Sequence, residues 1–410
     1  MFFRVLSKSI LSTAVSFLIA GATAHAAVWE TKKQWNDEAE TAYRLWVQTN
    51  WNKNYFLKDG PLKNMIMDCA DVVYAMRVIY AAEHGLPFVM KDPTTRAGTP
   101  ITNEMTRWDS RPEGERLRPF LNLIFGVGST MSLPADTYPT AISRATLGSG
   151  SIILTDKDKH HSWTIQNFSK TGIPYLLFGS RPARTLLYER NDYPSVGFVF
   201  PNGIRPETNA GFRNFRQPAD IGKPVHEAQG YSLEQYSIPT NGGWMRAVQK
   251  RMQQVAETHE QRVVRLYNEA CIGARERVDI VRAAIKLDQS IGSRCMSAAE
   301  YDDQSTPSRD QRLKDAFNDL SLSFKNAMGN GGLSVGARKL VESALNARAS
   351  AADPDASCLV EIAPGKKLAL GQIFGYSMAN TLSNNPHDTL EMRWGLAKGP
   401  SAKASSCPVY

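Results

Sequence analysis

The sequence predicts an α+β chain: a helix bearing a cysteine packs on a small antiparallel sheet, and a mainly helical part follows. Three observations carry this prediction. Residues 68–87 read as an apolar helix marked at both ends. Residues 151–178 read as short apolar segments separated by polar turns. Met245 to Leu287 is rich in helix formers and nearly free of Gly and Pro.

The helix at 68–87 organises the rest. Asp68 is a good N-cap, because its carboxylate accepts from backbone N–H groups that have no helical partner. Val72, Val73, Met76, Ile79 and Tyr80 recur at helical spacing. Gly85 suits the left-handed C′ position, Leu86 the apolar contact beyond it, and Pro87 forbids continuation. Cys69 therefore falls in the first turn, where the helix dipole and unpaired N–H groups favour a thiolate. That is an environment for a nucleophile. It is equally a place where a small apolar cysteine packs.

The chain begins with Arg4 and Lys8, then an apolar run from Ile10 to Ala22, then Ala24-His25-Ala26. This pattern predicts a secretory signal peptide over residues 1–26, and a periplasmic or secreted product. The run is too short and too mixed for a stable membrane span. Loss of Arg4 and Lys8 takes the net charge from +8 to +6. Long basic runs are absent, which excludes nucleic acid as the expected partner. A mildly basic exported protein suits anionic cell-wall material, or simply has a solvated basic surface. The oligomeric state is not specified by the sequence. The remainder divides into residues 27–230, with an insertion at about 88–148, and residues 231–410.

Of the five cysteines, Cys69 stands alone in the N-terminal part, and Cys271, Cys295, Cys358 and Cys407 lie in the C-terminal part. Export permits disulfides, and an odd count leaves one thiol over. The simplest pairing is Cys271 with Cys295 and Cys358 with Cys407, leaving Cys69 free.

In chain order, residues 29–50 read as a helix with Trp35, Ala39, Ala42, Tyr43 and Trp46 on one face. Asn50 to Asn64 is a loop. Turns at Pro93, Gly98 to Pro100 and Arg111 to Gly114 mark an irregular stretch, expected to wall a cleft. Within it Arg118–Val127 is a short helix and Ser132–Pro139 an extended or loop segment. Ser151–Leu154 is a strand. His161–Gln166 alternates as a second strand and puts His161, Trp163 and Ile165 on one face. Ile173–Phe178 is a third strand and Phe198–Phe200 a fourth. Gly211–Pro218 is a basic-aromatic stretch that closes the domain, or offers Arg213 or Arg216 to a carboxylate. Beyond the helix at 245–287, Tyr301–Arg309 reads as a loop. Asp310–Met328 and Val335–Ala349 read as helices, and Leu368–Ser377 as a strand.

A cysteine at a helix N-terminus and a histidine opening a strand of a nearby sheet form a nucleophile–base pair. Cys69 is the candidate nucleophile. His161 is the candidate base, because Trp163 and Ile165 on its face are expected to pack it onto the Cys69 helix. His160 is the alternate. Ser180, at the end of the next strand, is the candidate third residue to orient the imidazole, with Asp192 a second candidate. The backbone N–H of Cys69 and either Tyr55 or Asn64 are candidates for stabilising an oxyanion. His84, His226, His259 and His387 are scattered without metal-ligand spacing, and the glycines form no phosphate loop, so neither metal nor cofactor is expected.

Asp68-Cys69-Ala70-Asp71 with its apolar helix resembles the Asp-Cys-Ser-Gly start of the NlpC-like branch of the papain-like cysteine peptidases. Gly150-Ser151-Ile152-Ile153 resembles their Gly-Asp-apolar strand, and His161 with its alternating strand resembles their catalytic histidine. The resemblance covers roughly residues 30–220. Ala70-Asp71 stands where that family has Ser-Gly, and the interval from Cys69 to His161 is longer than in compact members. The resemblance implies a papain-like or NlpC-like α+β core and an exported cysteine peptidase or amidase. Its substrate would be cell-wall peptide or a related amide. A catalytically inactive binding protein of the cell envelope is the alternative. Cys69, Gly85-Leu86-Pro87 and His161-Ser162-Trp163 also resemble the transglutaminase-like fold. That likeness implies an acyl transferase with an Asp soon after the histidine, where this chain has none.

Overall fold

The computed structural model describes residues 27–95, 99–238 and 243–410; the signal-peptide assignment lies outside the described residues. Helix α1 (Asp37–Asn50) precedes α2 (Cys69–His84). A hairpin of β1 (Val89–Lys91) and β2 (Pro100–Thr102) follows, then α3 (Leu117–Val127) and the single turn α4 (Leu133–Asp136). The sheet strands are β3 (Thr137–Pro139), β4 (Ile152–Leu154), β5 (Ser162–Phe168), β6 (Pro174–Phe178), β7 (Tyr188–Arg190) and, after the short α5 (Val196–Val199), β8 (Gly211–Phe215). They form one antiparallel sheet in the order β3-β8-β4-β5-β6-β7. The architecture is mixed helix and sheet.

Helix α2 begins and ends as its sequence requires. The Asp68 carboxylate accepts from the N–H groups of Ala70 and Asp71, and the Asp71 side chain accepts from the Asp68 N–H. Gly85 closes the helix in the left-handed region at φ 63°. Every residue from Cys69 to Ala81 is buried, so α2 is a central helix, packed on all sides. Arg77 tolerates this because its guanidinium stacks 3.3 Å from the Trp35 ring centroid and pairs with Glu40.

Strand alternation sends the sheet's two faces to two cores. Ile152, Leu154 and Leu177 pack with Val72, Val73, Met76 and the α1 and α3 side chains. Ile153, Trp163, Ile165 and Leu176 pack on the opposite face. There they meet Trp244, Val248 and Met252 of α6 (Trp244–Met252) and Ile280 of α7 (His259–Ser290). The register Ile152↔Thr164, Ile153↔Trp163 and Leu154↔Ser162 produces this split.

After α7 comes α8 (Ala298–Gln304), and a third core joins α7 to α9 (Pro307–Gly329), α10 (Val335–Ala344), the hairpin β9 (Leu359–Ala363) and β10 (Lys366–Ala369), and α11 (Leu370–Met378). Two single-turn helices, α12 (Leu390–Arg393) and α13 (Ala402–Ser406), complete the chain. Helix α9 is held against α7 by Arg277, which is fully buried, donates to Asp310 at 2.6 Å and lies 4.7 Å from the Trp394 ring centroid. The buried Arg393 donates to Gln304 O and Thr306 Oγ1, which anchors the α8–α9 junction.

Several expected elements change. The first helix starts at Asp37, where Asn36 caps it, and not at residue 29. Phe198–Phe200 is no strand: three apolar residues do not distinguish strand from buried helix, and they fall in and just after α5. The strand that extends the sheet is β7. The expected helix at 245–287 is broken between Met252 and Thr258, where Thr258 starts a new capping box. The expected loop at 301–309 is helical on both sides. Ser297 and Glu300 form a capping box for α8, and Pro307 sits at the first position of α9, where its missing N–H costs nothing. The expected strand at 368–377 is the end of β10 followed by α11.

The disulfides are Cys271–Cys358 and Cys295–Cys407, with Cα separations of 6.2 and 5.5 Å. The expected pairing of Cys271 with Cys295 fails because both lie along α7 and its exit. The helical stretch from Cys271 to Ser290 alone spans about 28 Å, far beyond disulfide reach. Cys69 is the free cysteine. No described helix is long and apolar enough to cross a membrane.

Candidate functional site

Cys69 and His161 open onto the same cavity, of about 1180 Å³. Its near wall is the N-terminus of α2 and the ends of β5, β6 and β7. Its far wall is α6, α7 and α9. Among the described residues of the stretch 88–148, expected to wall a cleft, only Ser129 and Thr130 reach the lining; most of its apolar residues pack with α2 in the first core.

The approach of the sheet to the helix start is close. Gly179, just after β6, lies against the backbone of Asp68, so that a Cβ there would overlap the Asp68 carbonyl. Ser162 Oγ donates to the Cys69 carbonyl at 3.0 Å, and Arg184 and Met67 form an isolated backbone bridge. These contacts fix the first turn of α2 against the heads of β5 and β6.

The face of β5 that meets α2 therefore carries Ser162 and Thr164. His161 lies on the other face with Trp163 and Ile165. This corrects the expectation that Trp163 and Ile165 would pack His161 onto the Cys69 helix. His161 reaches the cavity from the position just before β5, edge-on to Trp163 at 4.4 Å and to Phe178 at 5.4 Å between ring centroids. Neither ring nitrogen makes a hydrogen bond to the described residues, and Nε2 is buried. Burial, and then the charges of Arg312, Arg190 and Arg309, hold the imidazole well below its usual range, in the neutral form.

The Cys69 thiol points at the backbone of the turn before β5. Sγ lies 3.5 Å from the His160 carbonyl, to which it donates, and no hydrogen bond joins it to either imidazole. His160 has φ 46°, a left-handed conformation that turns its carbonyl toward the helix start, while its side chain is exposed. Burial, and next the Asp68 carboxylate, push the thiol up to about 12 from an ordinary value of 9.0. The helix N-terminus acts in the opposite sense and is outweighed here. In this resting arrangement Cys69 is a protonated thiol.

The third-residue candidates are engaged elsewhere. Ser180 Oγ accepts from Arg309 at 2.9 Å, and Asp192 holds Arg265 at 2.6 Å. Both line the cavity, but neither hydrogen-bonds His161. Tyr55 donates to Glu83 at 3.2 Å, and Asn64 sits in the loop that bonds back to Phe56. Neither lines the cavity. The Cys69 N–H makes no hydrogen bond to the described residues, and it is the oxyanion donor that the geometry leaves available.

Comparison of the chain with family models, curated proteins and solved structures returned no match.

The residues that sequence reasoning missed belong to the far wall. Arg262, Arg265 and Glu269 of α7 line the cavity at spacings of three and four, as do Arg309 and Arg312 of α9 at a spacing of three. The signal was present as charged residues recurring on one helical stripe. Charged stripes ordinarily face open solvent, and these face a half-open cavity. Arg213 and Arg216 have structural roles instead. Arg213 is buried and donates to Thr137 and Asn209, and Arg216 donates to the Ala135, Asp220 and Lys223 carbonyls.

Proposed function

We propose that this protein is an exported cysteine hydrolase with a papain-like core, cleaving a peptide or related amide bond in cell-envelope material. The observation that supports it is that Cys69, on the capped N-terminus of α2, and His161, at the head of β5, open onto one cavity large enough for a peptide. The two disulfides are compatible with an exported protein.

In this reading the thiol and imidazole are both neutral at rest, and substrate binding brings them into use. The Sγ proton passes to His161 as Sγ bonds to the carbonyl carbon. The resulting oxyanion accepts from the Cys69 N–H. The C–N bond then breaks, and the imidazolium gives its proton to the departing amine, leaving a thioester. Water attacks the thioester while His161 takes its proton. The C–S bond breaks, and the proton returns to sulfur. Ser180 and Asp192 have no assigned role in these steps.

The test is release of new amino termini from isolated peptidoglycan and muropeptides by the mature protein and by Cys69→Ala. Loss of release in the variant, with unchanged circular dichroism, is expected. Equal release by both proteins refutes the reading. A second reading, a binding protein of the cell envelope, is favoured by one observation: the thiol donates to a backbone carbonyl and not to a histidine ring. It predicts specific retention on cell-wall material without turnover.

A further inference from the structure

The charges of the cavity are sorted by place. At one end Asp192 and Glu257 hold Arg265, and Asp315 and Asp319 lie close to the same group of charges. At the other end, around His161, the balance is cationic. Arg309 donates to Ser180 Oγ and the Arg181 carbonyl, neither of which carries charge. Arg312 makes no hydrogen bond or ion pair to the described residues. Among the described residues Arg190 has only Glu269, at 3.9 Å. Burial raises Glu269 to about 7, and burial also raises Glu276, whose Oε1 is buried without a partner. Glu269 therefore offsets Arg190 only in part.

Arg190, Arg309 and Arg312 are half-buried on the cavity lining, and guanidinium groups withdrawn from water ordinarily have anionic partners, because an unpaired charge there is costly. Arg312 is so crowded by burial and by Arg190 that its own proton affinity falls to about 9. The missing partner is then a ligand. Arginine presents parallel N–H donors that match a carboxylate. All three side chains line the same cavity as Cys69, and their charges act directly on His161.

We propose that Arg190, Arg309 and Arg312 form a carboxylate-binding subsite beside His161, and that the ligand of the cavity is an acidic peptide whose side-chain carboxylate is held there while its backbone amide lies toward Cys69. This rests on the hydrolase reading for the fate of the peptide but not for its binding. Two of the three arginines come from α9, so the C-terminal helices complete the site that the sheet and α2 begin.

The test is calorimetric titration of the mature full chain carrying Cys69→Ala with acetyl-Ala-Glu-Ala-amide and with acetyl-Ala-Gln-Ala-amide, with and without Arg312→Gln. The Glu peptide is expected to bind at least tenfold more tightly. Arg312→Gln should remove that preference, and Arg246→Gln, elsewhere on the lining, should keep it. Arg312 has no partner to lose, so the variant is expected to fold; near-UV circular dichroism checks this. Equal binding of the two peptides, no binding of either, or an Arg312→Gln variant that keeps the preference overturns the proposal. Sulfate that competes with the Glu peptide supports a shared anion site. Sulfate binding without peptide discrimination means a site for inorganic anions only and overturns the peptide assignment. The two readings fail separately. Arg312-dependent binding with no turnover by the unmutated protein removes the hydrolase and keeps the subsite. Turnover indifferent to Glu or Gln does the reverse.

Discussion

The reactivity of Cys69 is the most direct quantity to measure. The structure places its thiol in a buried turn, beside the Asp68 carboxylate, with the proton given to the His160 carbonyl. An upward shift from 9.0 to about 12 lowers the thiolate population at neutral pH by about a thousandfold. A more basic thiolate is also a better nucleophile, which returns about twentyfold. The net expectation is alkylation by iodoacetamide about fiftyfold slower than that of an ordinary exposed thiol, before any steric protection. The rate should still be rising with pH above 9. The assay is time-resolved alkylation of the oxidised protein from pH 6 to 10, read on the Cys69 peptide by mass spectrometry. Asp68→Asn removes the adjacent charge while retaining a capping side chain, and should raise the rate near pH 8. Rapid alkylation of Cys69 at pH 6 would refute this reasoning and establish a preformed thiolate.

Other predictions concern the supports of the site. Burial, then Asp68, raises the Asp71 carboxyl to about 7, so the folded state holds a proton that the unfolded state releases near pH 4. The contribution of Asp71 to stability is thus greatest at low pH and falls as pH rises from about 4 to about 7. Asp71→Asn, which can still accept from the Asp68 N–H, should be more stable than the parent at pH 8 by about 2–4 kcal/mol and lose that advantage at pH 4, as urea unfolding at both pH values will show. Gly179→Ala should cost at least about 3 kcal/mol in the same unfolding assay, because backbone must move on one side or the other. Replacing Cys271 and Cys358 together by Ala should cost about 4–5 kcal/mol through the long loop they close, and a denaturant midpoint unchanged from the parent would contradict this. If the hydrolase reading holds, the acid limb of the kcat/KM profile should lie below the ordinary imidazole value of 6.5, because burial and three arginines oppose protonation of His161; a limb above that value counts against it.

Local signals made part of the fold legible. The Asp68 cap, the apolar run and Gly85-Leu86-Pro87 defined α2 to within a residue at each end. Alternation from His161 and the polar turns around it gave β5 and β6. What stayed hidden depended on distant parts of the chain. The face of β5 that meets α2 is set by register with β4, and a period of two does not say which set points inward. Pro307 lies in a stretch that reads as a loop although it begins a helix, since proline suits both a loop and a first helical position. The disulfide pairing required knowing that α7 is rigid through Cys271. At the site, the shared cavity of Cys69 and His161 follows from elements that were recognisable. The arginines around His161 come from α9 and β7, and nothing local indicates that a charged helical stripe will line a cavity.

The two disulfide bonds interleave: each begins inside the span closed by the other or ends beyond it, in the order Cys271, Cys295, Cys358, Cys407. Any single backbone cut between Cys271 and Cys407 therefore leaves the two fragments covalently joined. The sequential pairing would have left everything from Met296 to Ser357 outside both loops, to be shed after one cut at each end. As it stands, α9, with Arg309 and Arg312, lies in the stretch spanned by both bonds. A nick between Cys271 and Cys407 changes the mass seen after reduction but cannot by itself detach α9 from the rest of the chain.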